Sequence, residues 1–272
     1  MPELPEVETT VRGLATVLEG RRLTRVELRR GDLRRPFPVD LGQRLTGARV
    51  TALGRRAKYG LIETDRGDTL IFHLGMSGRW RIDPAEIGAH DHVLIDTDDG
   101  RRLSLNDPRR FGSIDLVATD KVAEWPAFRA LGPEPLGDAI VGQWLHATFA
   151  GRGAAVKQLL LDQRVVAGLG NIYACEALFR ARIDPRKAAG RIGRARLDAL
   201  AAAIPTVLGE AIEAGGSSLR DFAAPDGELG YFSKQFDVYG REGESCRGGC
   251  SGTVMRIVQG ARSTFYCPGC QR

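Results

Sequence analysis

The sequence predicts an α+β protein: an antiparallel β-sandwich or barrel with one helix at its start, then a helical half and a cysteine-bearing tail. Three observations carry this. Apolar residues alternate with a period of two across much of residues 22–118. After a Pro/Gly-punctuated connector at 131–138, LGPEPLGD, the spacing becomes helical. Four of the five cysteines follow residue 238.

Each element has its own signal. Val7, Val11, Leu14 and Leu18 fall at helical spacing over 6–19, and Gly20 is a stop. Residues 49–53, 70–74 and 92–96 read as strands, and Asp99-Gly100 marks a hairpin turn. Helical patterns cover 154–162, 172–180 and 197–214, with Gly215-Gly216 closing the last. Residues 223–235 are polar and Gly-bearing, as in a mobile loop. The boundaries expected are 1–130 for the β domain, 131–148 for a linker, 149–237 for the helical domain and 238–272 for the tail.

The 272 residues suggest about two domains at roughly 150 residues each. A 43% hydrophobic content suffices for real cores and excludes wholesale disorder. No run approaches the roughly 18 apolar residues of a membrane span. The N-terminus MPELPEVETT is acidic and has no apolar run, unlike a secretory signal. The net charge of +5 permits a polyanionic partner without requiring one.

Cys246 and Cys250, then Cys267 and Cys270, form two close pairs that could bring four thiolates to one tetrahedral zinc ion. Two disulfides are the alternative, in an oxidising compartment. A tail this short has little core, so a metal would supply its stability. Its Arg247, Arg256 and Arg262 suit phosphate contact or a solvated face equally well. Cys175 stands alone in a helical stretch, as a small buried residue would.

Removal of Met1 would leave Pro2 as a free secondary amine. An α-amine titrates near pH 8, so much of it is neutral and nucleophilic at pH 7. Attack on an aldehydic sugar carbon would form an iminium that cannot shed its charge by deprotonation. Glu3 and Glu6 stand close in sequence and could move protons. The same residues also suit an ordinary helix start, with Pro5 in the first turn and acids matched to the dipole.

MPELPEVET, RRAKYG (55–60), HLGMSG (73–78), HDHV (90–93), DPRRFG (107–112), LGPEPL (131–136), GLGNIY (168–173) and TFYCPGC (264–270) together resemble the bacterial formamidopyrimidine-DNA glycosylase family. The resemblance runs from residue 2 to the last cysteine. It implies an N-terminal β-sandwich with a flanking helix, a helical domain with a helix-two-turn-helix, and a β-hairpin zinc finger with one structural zinc. It implies a bifunctional glycosylase and abasic-site lyase of base excision repair, monomeric, cytoplasmic and associated with the bacterial nucleoid. Its substrate would be duplex DNA bearing 8-oxoguanine or formamidopyrimidines.

By that resemblance, Pro2 attacks C1′, Glu3 protonates the sugar ring oxygen and Glu6 positions the amine. Lys58 holds phosphate and serves β-elimination, and Arg262 clamps phosphate for δ-elimination. Met76, Arg109 and Phe111 fill the gap left by the flipped nucleotide, though from the residues alone core packing between strands is the stronger reading of Met76 and Phe111. Asn171 caps the following helix and touches a phosphate. His90, Arg152, Lys157 and Tyr239 fall at positions near DNA, and residues 217–239 correspond to the loop over the everted base. One departure is the three residues between Cys246 and Cys250, where the family has two; Gly248-Gly249 can widen that knuckle. Rival readings are the endonuclease VIII type for oxidised pyrimidines, a noncatalytic zinc-ribbon DNA-binding module, and a protein with no nucleic-acid role.

Overall fold

The computed structural model describes residues 1–137, 140–217, 224–225, 227 and 230–272. They form two compact units. The first comprises Met1–Arg129 with Ala214–Tyr231, and the second Ala130–Glu213 with Phe232–Arg272.

The first unit opens with α1 (Leu4–Leu18), which buries Val7, Val11, Leu14 and Leu18 along one face. Gly20, at φ +77°, turns the chain out of it. Strands β1 (Leu23–Leu28), β2 (Val50–Arg56), β3 (Tyr59–Thr64), β4 (Asp68–His73), β5 (Arg79–Ile82), β6 (Asp91–Thr97), β7 (Arg102–Asn106) and β8 (Ser113–Ala118) follow, with the short α2 (Leu41–Leu45) after β1 and α3 (Pro126–Arg129) at the end. They make two antiparallel sheets, ordered β1-β6-β7-β5 and β2-β3-β4-β8. One hydrophobic cluster draws on α1 and both sheets, from Leu14 and Phe72 to Trp80, Val93 and Leu105. That is the expected sandwich with its flanking helix. The Asp99-Gly100 signal falls in the β6–β7 hairpin, with Gly100 at φ +84°.

The second unit holds α4 (Gly142–Phe149), α5 (Val156–Leu160), α6 (Asn171–Arg180) and α7 (Arg194–Glu213), then the hairpin β9 (Met255–Gln259) and β10 (Arg262–Tyr266). Helix α4 lies in the stretch that composition reads as linker. It forms because Leu145 and Phe149 find burial, and because Gly142 lies so close to Asp198 that a Cβ would come within 1.6 Å of its carboxylate. The expected helix over 154–162 shortens to a single turn or so. Within the 223–235 stretch read as a loop, Phe232 is fully buried and anchors a short 3-10 turn. The remainder of the expected lesion loop, residues 218–223, 226 and 228–229, lies outside the described residues. Among the described residues, no helix is long and apolar enough to cross a membrane.

Candidate active site and nucleic-acid interface

In the first unit the candidate chemistry gathers around the start of α1. Pro2, Glu3 and Glu6 are buried. Glu3 and Glu6 form a capping box, in which Glu3 N–H donates to Glu6 Oε2 at 2.8 Å. The other Glu6 oxygen accepts from Ser217 N–H at 2.9 Å and from its hydroxyl at 2.8 Å. The carboxylate therefore fixes both the first turn of α1 and residue 217, a connection that spacing along the chain does not reveal.

Lys58 occupies the tight turn between β2 and β3 and is 7% exposed. Ala57 before it adopts φ +53°, a left-handed conformation that an alanine enters only where its surroundings hold it. Arg55 supplies the hold: it donates to Ala57 O at 2.9 Å and to Glu8 Oε2 at 2.9 Å. Burial pushes the Glu8 carboxyl up, but Arg12 and Arg55 outweigh it and hold the group below the usual carboxylate range. The lysine turn is thus tied to α1.

His73, in HLGMSG, has no role in the sequence reading, yet it lies beside Lys58. Its ring is 4.9 Å from Tyr59, and its Nδ1 accepts from Gly75 N–H at 3.0 Å. Burial, with the charges of Lys58, Arg34 and Arg35, lowers its pKa to about 4. It is neutral at pH 7 with the proton on Nε2. A cavity of about 330 Å³ opens here, lined by Arg34, Arg35, Tyr59, His73, Phe111 and Ser113.

The proposed gap-filling residues share one face of this unit. Met76 is half-buried, Arg109 is exposed, and Phe111 is 47% exposed. Phe111 therefore does not pack in the core, and the Arg109 guanidinium lies over its ring at 4.9 Å. His90 is exposed, with its ring 6.3 Å from that of His92.

In the second unit, Gly170 rather than Asn171 caps α6. The Asn171 side chain is committed elsewhere. Its Nδ2 donates to Ser263 O at 2.9 Å and Tyr239 Oη at 3.3 Å, and its Oδ1 accepts from Lys157 Nζ at 2.6 Å. Lys157 is fully buried and also donates to Thr264 Oγ1 at 2.6 Å, so its ammonium points to these acceptors rather than to solvent. Arg152 is exposed near the start of α5. Arg262 is exposed at the first position of β10, directly after Ala261 at φ +59°. Ala57, Arg110 and Ala261, all left-handed non-glycine residues, each precede one of the candidate residues Lys58, Phe111 and Arg262.

Sequence reasoning also missed Glu176. It is fully buried on α6, and its oxygens accept from the N–H groups of Asp237 (2.8 Å), Val238 (3.1 Å) and Tyr239 (2.8 Å). Burial pushes its pKa up, against those hydrogen bonds. The available signal was a lone acid within the apolar run of α6.

The four tail cysteines place their sulfurs within 4.8 Å of one another, with 3.6 Å between Cys246 and Cys270 and 3.5 Å between Cys250 and Cys267. A disulfide needs about 2.05 Å. Four thiolates about 2.3 Å from a tetrahedral ion stand roughly 3.8 Å apart, which these residues match. Gly248 and Gly252 donate N–H groups to the sulfurs of Cys246 and Cys250 at 3.2 and 3.4 Å. In the longer knuckle Gly249 takes φ +79°, and a Cβ on Gly248 would come within 2.9 Å of the Cys270 sulfur. Both glycines of the departure are therefore needed.

Comparison with known proteins agrees along the whole chain. Residues 1–114 match the model of the formamidopyrimidine-DNA glycosylase N-terminal domain, and residues 131–223 that of the formamidopyrimidine-DNA glycosylase H2TH domain. A formamidopyrimidine-DNA glycosylase of Rhizorhabdus wittichii is 67% identical over 272 residues, covering all of both chains. A crystal structure of MutM (Fpg) from Thermus thermophilus is 39% identical with a TM-score of 0.89, covering 99% of this chain and 98% of that one. A complex of Lactococcus lactis Fpg with DNA containing an abasic site superposes with a TM-score of 0.91 at 33% identity, covering all of both chains.

Proposed function

Because the chain belongs to the formamidopyrimidine-DNA glycosylase family, an enzyme family of DNA repair, we propose that it excises oxidised purines from duplex DNA and then cleaves the abasic strand. The observation that carries this is the buried start of α1, where Glu3 and Glu6 are locked by their capping box beside Pro2. The lysine turn is bound to the same helix through Arg55 and Glu8.

With Met1 removed, the Pro2 nitrogen is an amine; in the intact chain it is an amide and cannot attack. The amine forms a bond to C1′ while the bond from C1′ to the base breaks and the base leaves with a proton. Glu3 supplies a proton to the ring oxygen, the sugar opens, and the cationic iminium acidifies the 2′ carbon. Loss of that proton expels the 3′ phosphate, and a second elimination expels the 5′ phosphate. Lys58 and Arg262 hold those phosphates. Neutral His73 adds no charge beside Lys58. Eversion of the nucleotide is required first, and Met76, Arg109 and Phe111 take its place. Asn171, His90, Arg152 and Tyr239 belong to the DNA-binding surface, while Lys157 acts from beneath it. A zinc ion held by Cys246, Cys250, Cys267 and Cys270 would staple the β9–β10 hairpin that carries Arg262.

The support is strongest for the lesion class, since a mutant of Lactococcus lactis Fpg has been crystallised with DNA containing Fapy-dG. The test is borohydride trapping on an 8-oxoguanine:C duplex, with peptide mass mapping of the adduct. An adduct on Pro2 is expected. No adduct from a chain shown by intact mass to lack Met1, or faster excision of thymine glycol, would overturn the reading.

A further inference from the structure

We propose that Asp107 is a positioning residue that makes the two loops bearing Met76, Arg109 and Phe111 into one rigid wedge. This rests on the reading above that these three side chains fill the space of the everted nucleotide.

Asp107 directly follows β7 and is completely buried. Its Oδ1 accepts from the Ser77 hydroxyl at 2.7 Å, next to Met76. Its Oδ2 accepts from Gly112 N–H at 2.8 Å, next to Phe111. The Ser77 oxygen in turn accepts from Arg109 N–H at 3.2 Å. The Asp107 carbonyl accepts from Arg110 N–H at 3.1 Å and faces His92 Nε2 at 3.0 Å, and its own N–H donates to His90 O at 3.0 Å. One carboxylate therefore joins a loop at 75–78 to a loop at 108–112, and its backbone joins both to the start of β6.

The loops also meet without any side chain between them. A Cβ on Gly75 would lie 2.3 Å from the Phe111 carbonyl carbon, and one on Gly112 would lie 2.8 Å from His73 O. Arg110 between the two exposed residues is held at φ +57°. Arg109 and Phe111 project to solvent, while the backbone that carries them is held. A wedge that must hold an unstacked step open, against a few kcal/mol of lost stacking, works only if its base does not yield. Asparagine in place of Asp107 must turn its NH2 to Ser77, because toward Gly112 it would face an N–H. The charge-assisted bond from the buried Ser77 hydroxyl is then lost, its proton is left without the carboxylate acceptor, and a weaker reversed bond replaces it.

The experiment compares Asp107→Asn and Ser77→Ala with the parent, as full-length zinc-loaded proteins, on two substrates. One is an 8-oxoguanine:C duplex, which demands eversion. The other is a single strand with an abasic site, which does not. Displacing the wedge by about 1 Å should slow single-turnover excision from the duplex by roughly 10- to 100-fold, with borohydride trapping on the single strand changed by less than about twofold. A 2-aminopurine beside the lesion should report slower unstacking in step with the duplex loss. Equal losses on both substrates, or an unchanged duplex rate in both variants, would overturn the proposal. If Asp107→Asn does not fold, Ser77→Ala alone decides, since it removes one link and keeps the carboxylate. If the parent itself forms no adduct on either substrate, the functional reading fails and the proposal falls with it.

Discussion

Lys157 Nζ donates to Asn171 Oδ1 at 2.6 Å, and that single contact sets which way the asparagine amide faces. With its oxygen held by the cation, the NH2 of Asn171 must turn to Ser263 O on β10 and to Tyr239 Oη. The start of α6 is thereby fastened to the hairpin that carries Arg262.

The first prediction follows from that contact. Lys157→Met keeps the buried stem and removes the donors to Asn171 Oδ1, Thr264 Oγ1 and Ser263 O. Buried acceptors left without a donor cost about 1–3 kcal/mol each, so a loss of roughly 3 kcal/mol is expected in urea denaturation. DNA affinity should fall without a change in zinc content by atomic absorption. A variant as stable as the parent would show that the network is dispensable.

Glu176 carries the second prediction. It accepts three consecutive backbone N–H groups at 237–239, where the chain enters the cysteine-bearing segment. Glu176→Ala leaves all three donors buried or half-buried without it, while Arg180 keeps its ion pairs with Glu210 and Asp237. A destabilisation of roughly 3 kcal/mol or more is expected, measured by urea unfolding followed by intrinsic fluorescence. A change under about 1 kcal/mol would contradict it.

What was legible in the sequence divides along a physical line. Short runs of apolar and β-branched residues announce strands even where both faces are buried, so β2, β4 and β6 and the Asp99-Gly100 hairpin were readable. The cysteine spacing likewise announced the sulfur cluster. Residues that bind distant segments leave no such pattern. Glu176 and Glu6 bind N–H groups far along the chain and Asp107 binds the distant Ser77 hydroxyl, and nothing local in the sequence says so. Asn171 looked like a helix cap because caps are local; its partners Lys157 and Ser263 are not. Helix α4 was hidden because it is short and begins at a glycine whose value lies in its approach to Asp198.

Metal removal gives a third prediction. The hairpin has a small core of Val254, Phe265 and Cys267 with a few neighbours, and burial on that scale does not hold a fold alone. Roughly 10 kcal/mol of metal-binding free energy is what such a site contributes. One zinc per chain is expected, and its removal by chelation, or Cys250→Ser, should unfold the tail and abolish DNA binding. Binding by the parent should weaken steeply with salt, because phosphate contacts dominate. Full affinity in the chelated protein would separate Arg262 from the interface.

The fourth prediction concerns pH and His73. Its pKa is about 4 in the folded chain, against 6.5 for an ordinary histidine, because burial and the charges of Lys58, Arg34 and Arg35 disfavour the imidazolium. Between those two values the unfolded chain binds the extra proton and the folded chain does not. Stability from this group is therefore complete above about pH 6.5 and falls as the pH drops toward 4, by at most about 3 kcal/mol. His73→Asn keeps an acceptor for Gly75 N–H and has no such titration. The stability difference between parent and variant should shrink or reverse in the parent's disfavour as pH is lowered through that window, and stay level above it. The measurement is urea denaturation of both proteins from pH 4 to 8. Parallel curves would mean that His73 titrates normally, and that the neutral imidazole beside Lys58 is not a property of the folded chain.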